Sequence, residues 1–341
     1  MRILLACILS AALLSLAPAR TQSQSLLDFN YGIPTADHAT VFVAEDLGLF
    51  QKAGLNPHFY YFASGAPLLA ALKSGSVDVV TAGLALTFAV GQGIPLKFIY
   101  WEANNSAAEG LIVDPHSGIK SYRDIAKATK IGAATGTCAQ VALYLMAKKV
   151  GVDYSKLNVV NIPAPLFHNA FLSHSIDAGV AWPPYSEGMK AEGFPIVSYD
   201  EEYTPPGGDC PGLTAARPAY LAQHPEIGVK LLEVEAMARA AMAKNPQVGI
   251  DAFVKHLGIT PAVAKATLER ECCGRVPSFE EQLKGDSPYS MTSKDGGTVG
   301  KLVLASQVLY ATHVLSEPIP LGTLQNSIDP TYLKEYVATH K

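Results

Sequence analysis

Charge is what this chain has least of. Acidic and basic residues make up 16% of its 341 positions, with 26 Lys and Arg against 30 Asp and Glu. Soluble domains carry roughly 25%, so a large interior is expected. A net charge of -4 offers no basic surface for nucleic acid or for an anionic membrane. No apolar run after Leu16 is long enough to cross a bilayer, which takes about 20 residues, so direct membrane insertion of the mature chain is not expected. No repeat of solenoid period is visible. No Gly-x-Ser-x-Gly elbow and no His-Glu-x-x-His pair is present, which removes the commonest hydrolase and zinc-protease signatures. Cysteine is scarce, with 5 in all. None has Cys-x2-Cys or His spacing for zinc, and no cofactor is expected.

What is present begins with an export signal. Met1-Arg2 is a minimal positive start. Ile3 to Leu16 is nearly unbroken apolar sequence, and Ala17-Pro18-Ala19 supplies the small-x-small pattern that signal peptidase requires. Cleavage is expected after Ala19, with the periplasm as destination. A lipidation box at Leu4-Leu5-Ala6-Cys7 is the competing reading. It is rejected because it would leave Ile8 to Leu16 as an apolar tail. Cys138, Cys210, Cys272 and Cys273 remain, in a compartment that permits disulfides. A ring closed by the neighbours Cys272 and Cys273 would be strained. Two readings stay open: a bridge from Cys210 to one of that pair, which is favoured, and four free thiols.

The mature chain is long enough for two domains. Short apolar runs alternate with helical periodicity. Strands are expected at 26–31, 55–62, 77–80, 96–101, 130–133, 158–162 and 176–182. Helices are expected at 40–54, 65–72, 84–91, 138–150, 167–172 and 186–192, with a further helix starting at Ser121. This is the signature of an α/β protein with mainly parallel sheets. Past Pro205-Pro206-Gly207-Gly208 long helices take over, at 218–244, 246–257, 261–271 and 297–315. The boundaries expected are a signal peptide at 1–19, the first part of lobe one at 26–112, lobe two at 113–204, and a return to lobe one with C-terminal helices at 205–341.

Several phrases occur in order along the mature chain. They are Glu45-Asp46-Leu47-Gly48-Leu49-Phe50 with Ala53-Gly54-Leu55; Leu72-Lys73-Ser74-Gly75-Ser76-Val77-Asp78-Val79; Gly93-Ile94-Pro95-Leu96-Lys97; Phe171-Leu172-Ser173 with Ile176 to Trp182; and His224-Pro225-Glu226. Together they resemble the solute-binding components of nitrate/sulfonate/taurine/bicarbonate ABC importers, the NMT1/THI5-like family. The resemblance implies a two-lobed periplasmic-binding-protein fold, type II-like, with a ligand cleft between the lobes. It implies a small organic solute and a membrane permease as partners, and a monomer that is not an enzyme.

Sites in open α/β sheets form beyond the carboxyl ends of the strands. In the implied fold the candidate ligand contacts are therefore the strand-to-helix turns. In lobe one these hold Pro34, Thr35, Asp37 and His38, then Ser64 and Gly65, then Gly83 and Leu84. In lobe two they hold Thr135, Gly136, Thr137 and Cys138, then Trp182 and Tyr185. Free N–H groups at helix starts attract an anionic head group, and Thr135-Gly136-Thr137 is the best such start, although it would serve equally as a simple helix cap. Trp182 reads equally as a core residue, and Asp37 and His38 equally as a surface turn. Trp101 lies with Tyr100, Glu102 and Asn104 near the first crossover. Glu109 reads first as a solvated charge, then as an amine contact. Asp209 reads first as loop structure, then as a cation contact.

Taurine binders of the family carry an acidic residue shortly after the corresponding tryptophan. Here Pro183-Pro184-Tyr185 stands there. No Arg or Lys cluster lies on the turns, so a multiply charged anion is disfavoured. The expected solute bears one sulfonate or carboxylate and can be aromatic. The alternatives are a thiamine-pyrimidine-related binding protein or an NMT1/THI5-type enzyme, which would use a histidine and pyridoxal phosphate. Glu271-Cys272-Cys273-Gly274 faintly resembles that enzyme's Cys-rich motif.

Overall fold

The computed structural model describes residues 26–340 apart from 37, 64, 207 and 272–275. The expected export signal, Asp37, Ser64, Cys272 and Cys273 therefore lie outside the described residues. In chain order the elements are β1 (Leu27–Pro34), α1 (Ala39–Asp46), α2 (Leu49–Lys52), β2 (Leu55–Phe62), α3 (Gly65–Ser74), β3 (Val79–Ala82), α4 (Ala85–Gly91), β4 (Lys97–Asn104) and β5 (Gly110–Val113). There follow β6 (Ile131–Ala133), α5 (Cys138–Lys149), β7 (Val159–Asn161), α6 (Phe167–Leu172), β8 (Ala178–Ala181), α7 (Tyr185–Ala191), β9 (Ile196–Tyr199) and β10 (Pro211–Ala216). The remainder is helical: α8 (Pro218–Gln223), α9 (Ile227–Lys244), α10 (Gln247–Leu257), α11 (Pro261–Glu271), α12 (Phe279–Leu283), α13 (Gly297–Ala311), α14 (Leu321–Asn326) and α15 (Thr331–Thr339).

The strands form two five-stranded sheets, ordered β2-β1-β3-β10-β4 and β7-β6-β8-β5-β9. β1 is parallel to β2 and β3, and β6 to β7 and β8. The crossover strands run against their neighbours: β10 is antiparallel to β3 and β4, and β5 to β8 and β9. The chain leaves the first sheet through a 3-10 turn at Asn105–Ala107 and returns through another at Asp200–Glu202. The two crossovers lie side by side, and the Asp200 N–H donates to the Glu109 carbonyl at 3.2 Å.

The same short phrase starts the third parallel strand of each sheet. In Ser76-Val77-Asp78-Val79 the Asp78 carboxylate accepts the Asn30 N–H of β1 at 2.9 Å and pairs with Arg217 just after β10. In Ser175-Ile176-Asp177-Ala178 the Asp177 carboxylate accepts the N–H groups of Thr129 at 2.8 Å and Lys130 at 2.9 Å, at the entry to β6. Each aspartate fixes the register of two neighbouring strands and so the depth at which both strand ends meet the cleft.

Three expectations are corrected. The helix expected over 40–54 is two helices, because Gly48 sits at φ +62°, a left-handed conformation that ends α1. The stretch 218–244 is divided by His224 and Pro225, since His224 is non-helical at φ -133° and proline has no N–H to continue the ladder. β9 and β10 were not expected. All six residues of β10 are buried, and the strand is built of Pro, Gly, Leu, Thr and Ala because it is enclosed between β3 and β4.

The largest apolar core surrounds the first sheet and includes Phe42, Phe50, Phe98, Trp101 and Phe253; α9, α10 and α15 contribute to it. Two smaller cores flank the second sheet. α13 serves both sides, with Leu302 and Leu309 in the first core and Ala305 and Val308 in a second. Among the described residues no helix is long and apolar enough to cross a membrane.

Replacing Asp177 with Ala removes the carboxylate that organises the entry to β6. Urea unfolding of the Asp177→Ala protein should show a loss of about 2 kcal/mol with an unchanged slope. An unchanged midpoint would contradict the register role.

Candidate functional site

A cavity of about 60 Å3 lies between the sheets, beyond the carboxyl ends of their parallel strands. Pro34, Thr35 and His38 reach it from the end of β1, Gly65 from the start of α3, and Gly83 and Leu84 from the turn after β3. Across the cleft stand Thr137, Cys138 and Trp182. Two wider recesses share wall residues with it. One, of about 290 Å3, holds Thr135, Gly136, Phe88 and Lys73; the other, of about 340 Å3, holds Thr35, Tyr185, His168 and His256.

Four helices begin on residues that line the cavity: α1 after His38, α3 at Gly65, α4 after Leu84 and α5 at Cys138. A fifth, α7, begins three residues past Trp182. No side chain caps the N-termini of α1, α4, α5 or α7. Thr137 precedes α5, yet its hydroxyl donates backwards to the Ala134 carbonyl at 2.7 Å. The first N–H groups of these helices carry partial positive charge into the cleft. No Lys or Arg is among the described residues lining the cavity, and His38 is its titratable side chain. The field there comes from backbone rather than from fixed cations.

His38 is oriented from behind. Its Nδ1 faces the Glu102 carboxylate at 3.2 Å, and the Thr40 hydroxyl donates to the same carboxylate at 2.9 Å. A carboxylate there places a proton on Nδ1 and turns the Nε2 edge away from Glu102. Deeper in, Glu235 pairs with Arg239 at 2.7 Å. Burial, aided by the nearby Glu102 charge, pushes the Glu235 carboxyl up to about 7, against the opposing pull of Arg239.

The lobes touch around the cavity. The Tyr185 hydroxyl donates to the Thr35 carbonyl at 2.7 Å, closing one side. Gly136, at φ +76°, lies so close to Phe88 that a Cβ would come within 3.3 Å of its ring. The third contact is covalent: Cys138 at the start of α5 is bonded to Cys210 at the start of β10, with Cα atoms 5.4 Å apart. This corrects both sequence readings of the cysteines, because the folding back of β10 brings Cys210 to α5. Closing a loop of 72 residues stabilises the fold by about 4 kcal/mol on the chain-entropy account.

The expected site residues divide as follows. Pro34, Thr35, His38, Gly65, Gly83, Leu84, Thr137, Cys138 and Trp182 meet at the cavity, and Thr135, Gly136 and Tyr185 stand in its recesses. Trp101 does not reach it. It is buried in β4, where its indole N–H donates to the Thr298 hydroxyl at 2.8 Å and its ring meets Tyr289 edge-on. Glu109 is fully buried beside the first crossover, contrary to a solvated charge, with a carboxylate oxygen within 4.8 Å of both cysteine sulfurs. Asp209 is buried with Asp200 rather than placed in an open loop. Burial pushes both carboxyls up, Asp200 well above the usual range because Asp209 and Glu109 also face it. Burial pulls Lys301 down to about 8 against the opposing effect of the Asp209 charge, and its ammonium donates to the Gly208 carbonyl.

Sequence reasoning missed Asn105, Leu68 and Cys210 as lining residues. Asn105 is the first residue after β4, a strand end like the others, and could have been found by that rule. Cys210 could not, because no strand was expected over 211–216.

A family model described as NMT1/THI5 like matches residues 35–248. A curated binding protein of Brucella abortus (strain 2308) is 27% identical over 86% of this chain and 86% of its own. An ABC transporter periplasmic binding protein of Brachyspira hyodysenteriae is 28% identical over 44% of this chain and 47% of its own. Among solved structures, the alkanesulfonate-binding protein SsuA from Xanthomonas axonopodis pv. citri, bound to MOPS, has a TM-score of 0.73 at 18% identity, covering 89% of this chain and 98% of its own. The two-lobed α/β architecture is thus the periplasmic-binding-protein fold.

The raised Glu235 value sets a pH dependence. A carboxyl raised by folding favours the folded state below its ordinary value of 4.5, and that contribution is lost as pH rises through about 7. Between pH 5 and 8 the native protein should lose up to roughly 3 kcal/mol more stability than Glu235→Gln. Parallel pH profiles of the two in urea unfolding would contradict the assignment.

Proposed function

This chain belongs to the NMT1/THI5-like family, and from that premise we propose that it is the periplasmic solute-binding component of an ABC importer. It takes a small organic solute with one sulfonate or carboxylate into the cleft between its lobes. The observation that carries this is the set of uncapped helix N-termini meeting at one cavity without a fixed cation. Backbone dipoles of this kind suit a single negative charge, whereas phosphate or another dianion asks for Arg or Lys. Trp182, Leu68 and Leu84 supply apolar surface for the rest of the solute.

A cavity of about 60 Å3 holds a few water molecules, each needing roughly 10–15 Å3. An organic solute requires the lobes to part and close again. A ligand shifts that equilibrium only by binding the closed form better. Lining residues contributed by both lobes meet this condition, since a solute between Leu84 and Trp182 touches both only when they are closed. Binding rather than catalysis accords with the descriptions of the curated relatives as binding proteins. Delivery to a membrane permease rests on the Brachyspira relative's description. The periplasmic location rests on that description and on Met1 to Ala19.

Calorimetric titration with alkanesulfonates, aromatic carboxylates and pyrimidines tests the reading. One-site binding is expected for a sulfonate or carboxylate. Trp182→Ala and Thr137→Ala should each weaken it about tenfold or more, that is by at least about 1.4 kcal/mol, without lowering the melting temperature by more than a few degrees. Heat with inorganic anions alone, or full affinity in both variants, would refute it.

A further inference from the structure

Both cysteines of the Cys138–Cys210 bridge line the solute cavity. Their surroundings differ. Cys138 is the first residue of the 12-residue helix α5, whose N-terminus no side chain caps. The Leu84 N–H donates to its Sγ at 3.4 Å. Gly83 leaves room for this approach, since a Cβ there would stand 2.8 Å from the Cys138 sulfur. Helix dipole and donated N–H both favour a thiolate on Cys138. Cys210 follows the buried Asp209–Asp200 pair, stands at no helix start, and accepts only the longer contact from the Asn105 side-chain N–H at 3.9 Å. In thiol–disulfide exchange the sulfur that is the better thiolate is the better leaving group.

We propose that this bridge captures thiol-bearing anionic solutes, the thiolate of a mercapto-sulfonate or mercapto-carboxylate attacking Cys210 Sγ. The solute-sulfur to Cys210 bond forms, the Cys138–Cys210 bond breaks, and its electron pair leaves on Cys138 as a thiolate. The solute's thiol proton has gone to solvent beforehand, and no further oxidant or reductant takes part. This rests on the reading of the cleft as an anion site, because the helix N-termini hold the sulfonate or carboxylate while the sulfur reaches the bridge. Capture also has a mechanical consequence. The bridge joins α5 on one sheet to β10 on the other, so exchange leaves the crossovers near Asn105 and Asp200 as the covalent links between the lobes.

The test uses the oxidised full chain with 2-mercaptoethanesulfonate, the neutral 2-mercaptoethanol, and ethanesulfonate. Reactions are stopped early in acid, free thiols are alkylated after quenching, and peptides are mapped by mass. The expected result is one solute adduct on Cys210 with Cys138 alkylated. The mercaptosulfonate should react at least ~10-fold faster than the neutral thiol at matched thiolate concentration, and excess ethanesulfonate should slow it. No adduct, an adduct on Cys138, or one confined to Cys272 and Cys273 would overturn the capture. Equal rates for the two thiols would overturn it as well. Calorimetric heat with ethanesulfonate keeps the two readings apart. Saturable heat without a Cys210 adduct sinks the capture alone, and absent heat with equal rates sinks the anion site beneath it.

Discussion

The alignment of helix starts with strand ends is the constraint on which the rest of this molecule depends. A parallel strand followed by a helix leaves the strand's carboxyl end and the helix's N-terminus at the same edge of the sheet. Six strands here run parallel, three in each sheet, and their carboxyl ends carry backbone N–H and C=O groups toward one gap. Here α1, α3, α4 and α5 begin on the cavity wall. Most of their N-termini lack side-chain caps. A packed helix start without a cap is a cost of the fold, and a negatively charged guest would remove that cost. The low charge content of the chain is consistent with this, since the site needs no lysine or arginine to be electropositive.

The aspartates at the third strands and the two crossovers maintain this geometry from outside the cleft. Asp78 and Asp177 hold strand register by accepting backbone N–H groups from the neighbouring strand. Behind the cavity Glu102 orients His38, and Glu235 and Arg239 support that layer in turn. At the crossovers Asp200, Asp209 and Lys301 form a buried polar cluster beside the two 3-10 turns. Across the gap, the Cys138–Cys210 bond, the Thr35–Tyr185 contact and the approach of Gly136 to Phe88 bring the two lobes together. The cleft is therefore tied covalently beside the crossovers, where Cys210 lies against Asn105, and by non-covalent contacts elsewhere.

Much of this was legible from sequence because it follows from periodicity and from strand-to-helix turns. β1, β2, α5, α6 and α11 stand within a few residues of where alternation and helical spacing put them. The turn residues Thr35, His38, Gly83, Leu84, Thr137 and Trp182 meet at one cavity for the same reason. What sequence did not reveal is long-range. β10 is a run of small residues whose strand character comes from being enclosed by β3 and β4, not from its own pattern. Without β10, Cys210 had no place beside α5, and the disulfide was misassigned. Trp101 and Glu109 are chemically conspicuous, yet their side chains serve the interior: one donates to Thr298, the other is buried at the crossover. Residue type marks candidates, and only the tertiary path decides which face the cleft.

Native mass spectrometry of the protein purified from its own exported pool, compared with the same sample after unfolding and refolding, tests the central claim most directly. One small organic mass should be bound per chain, lost on unfolding, with a single sulfonate or carboxylate in its fragmentation spectrum, and regained when that compound is added back. A stoichiometric guest that is cationic, or a dianion such as phosphate, would contradict it.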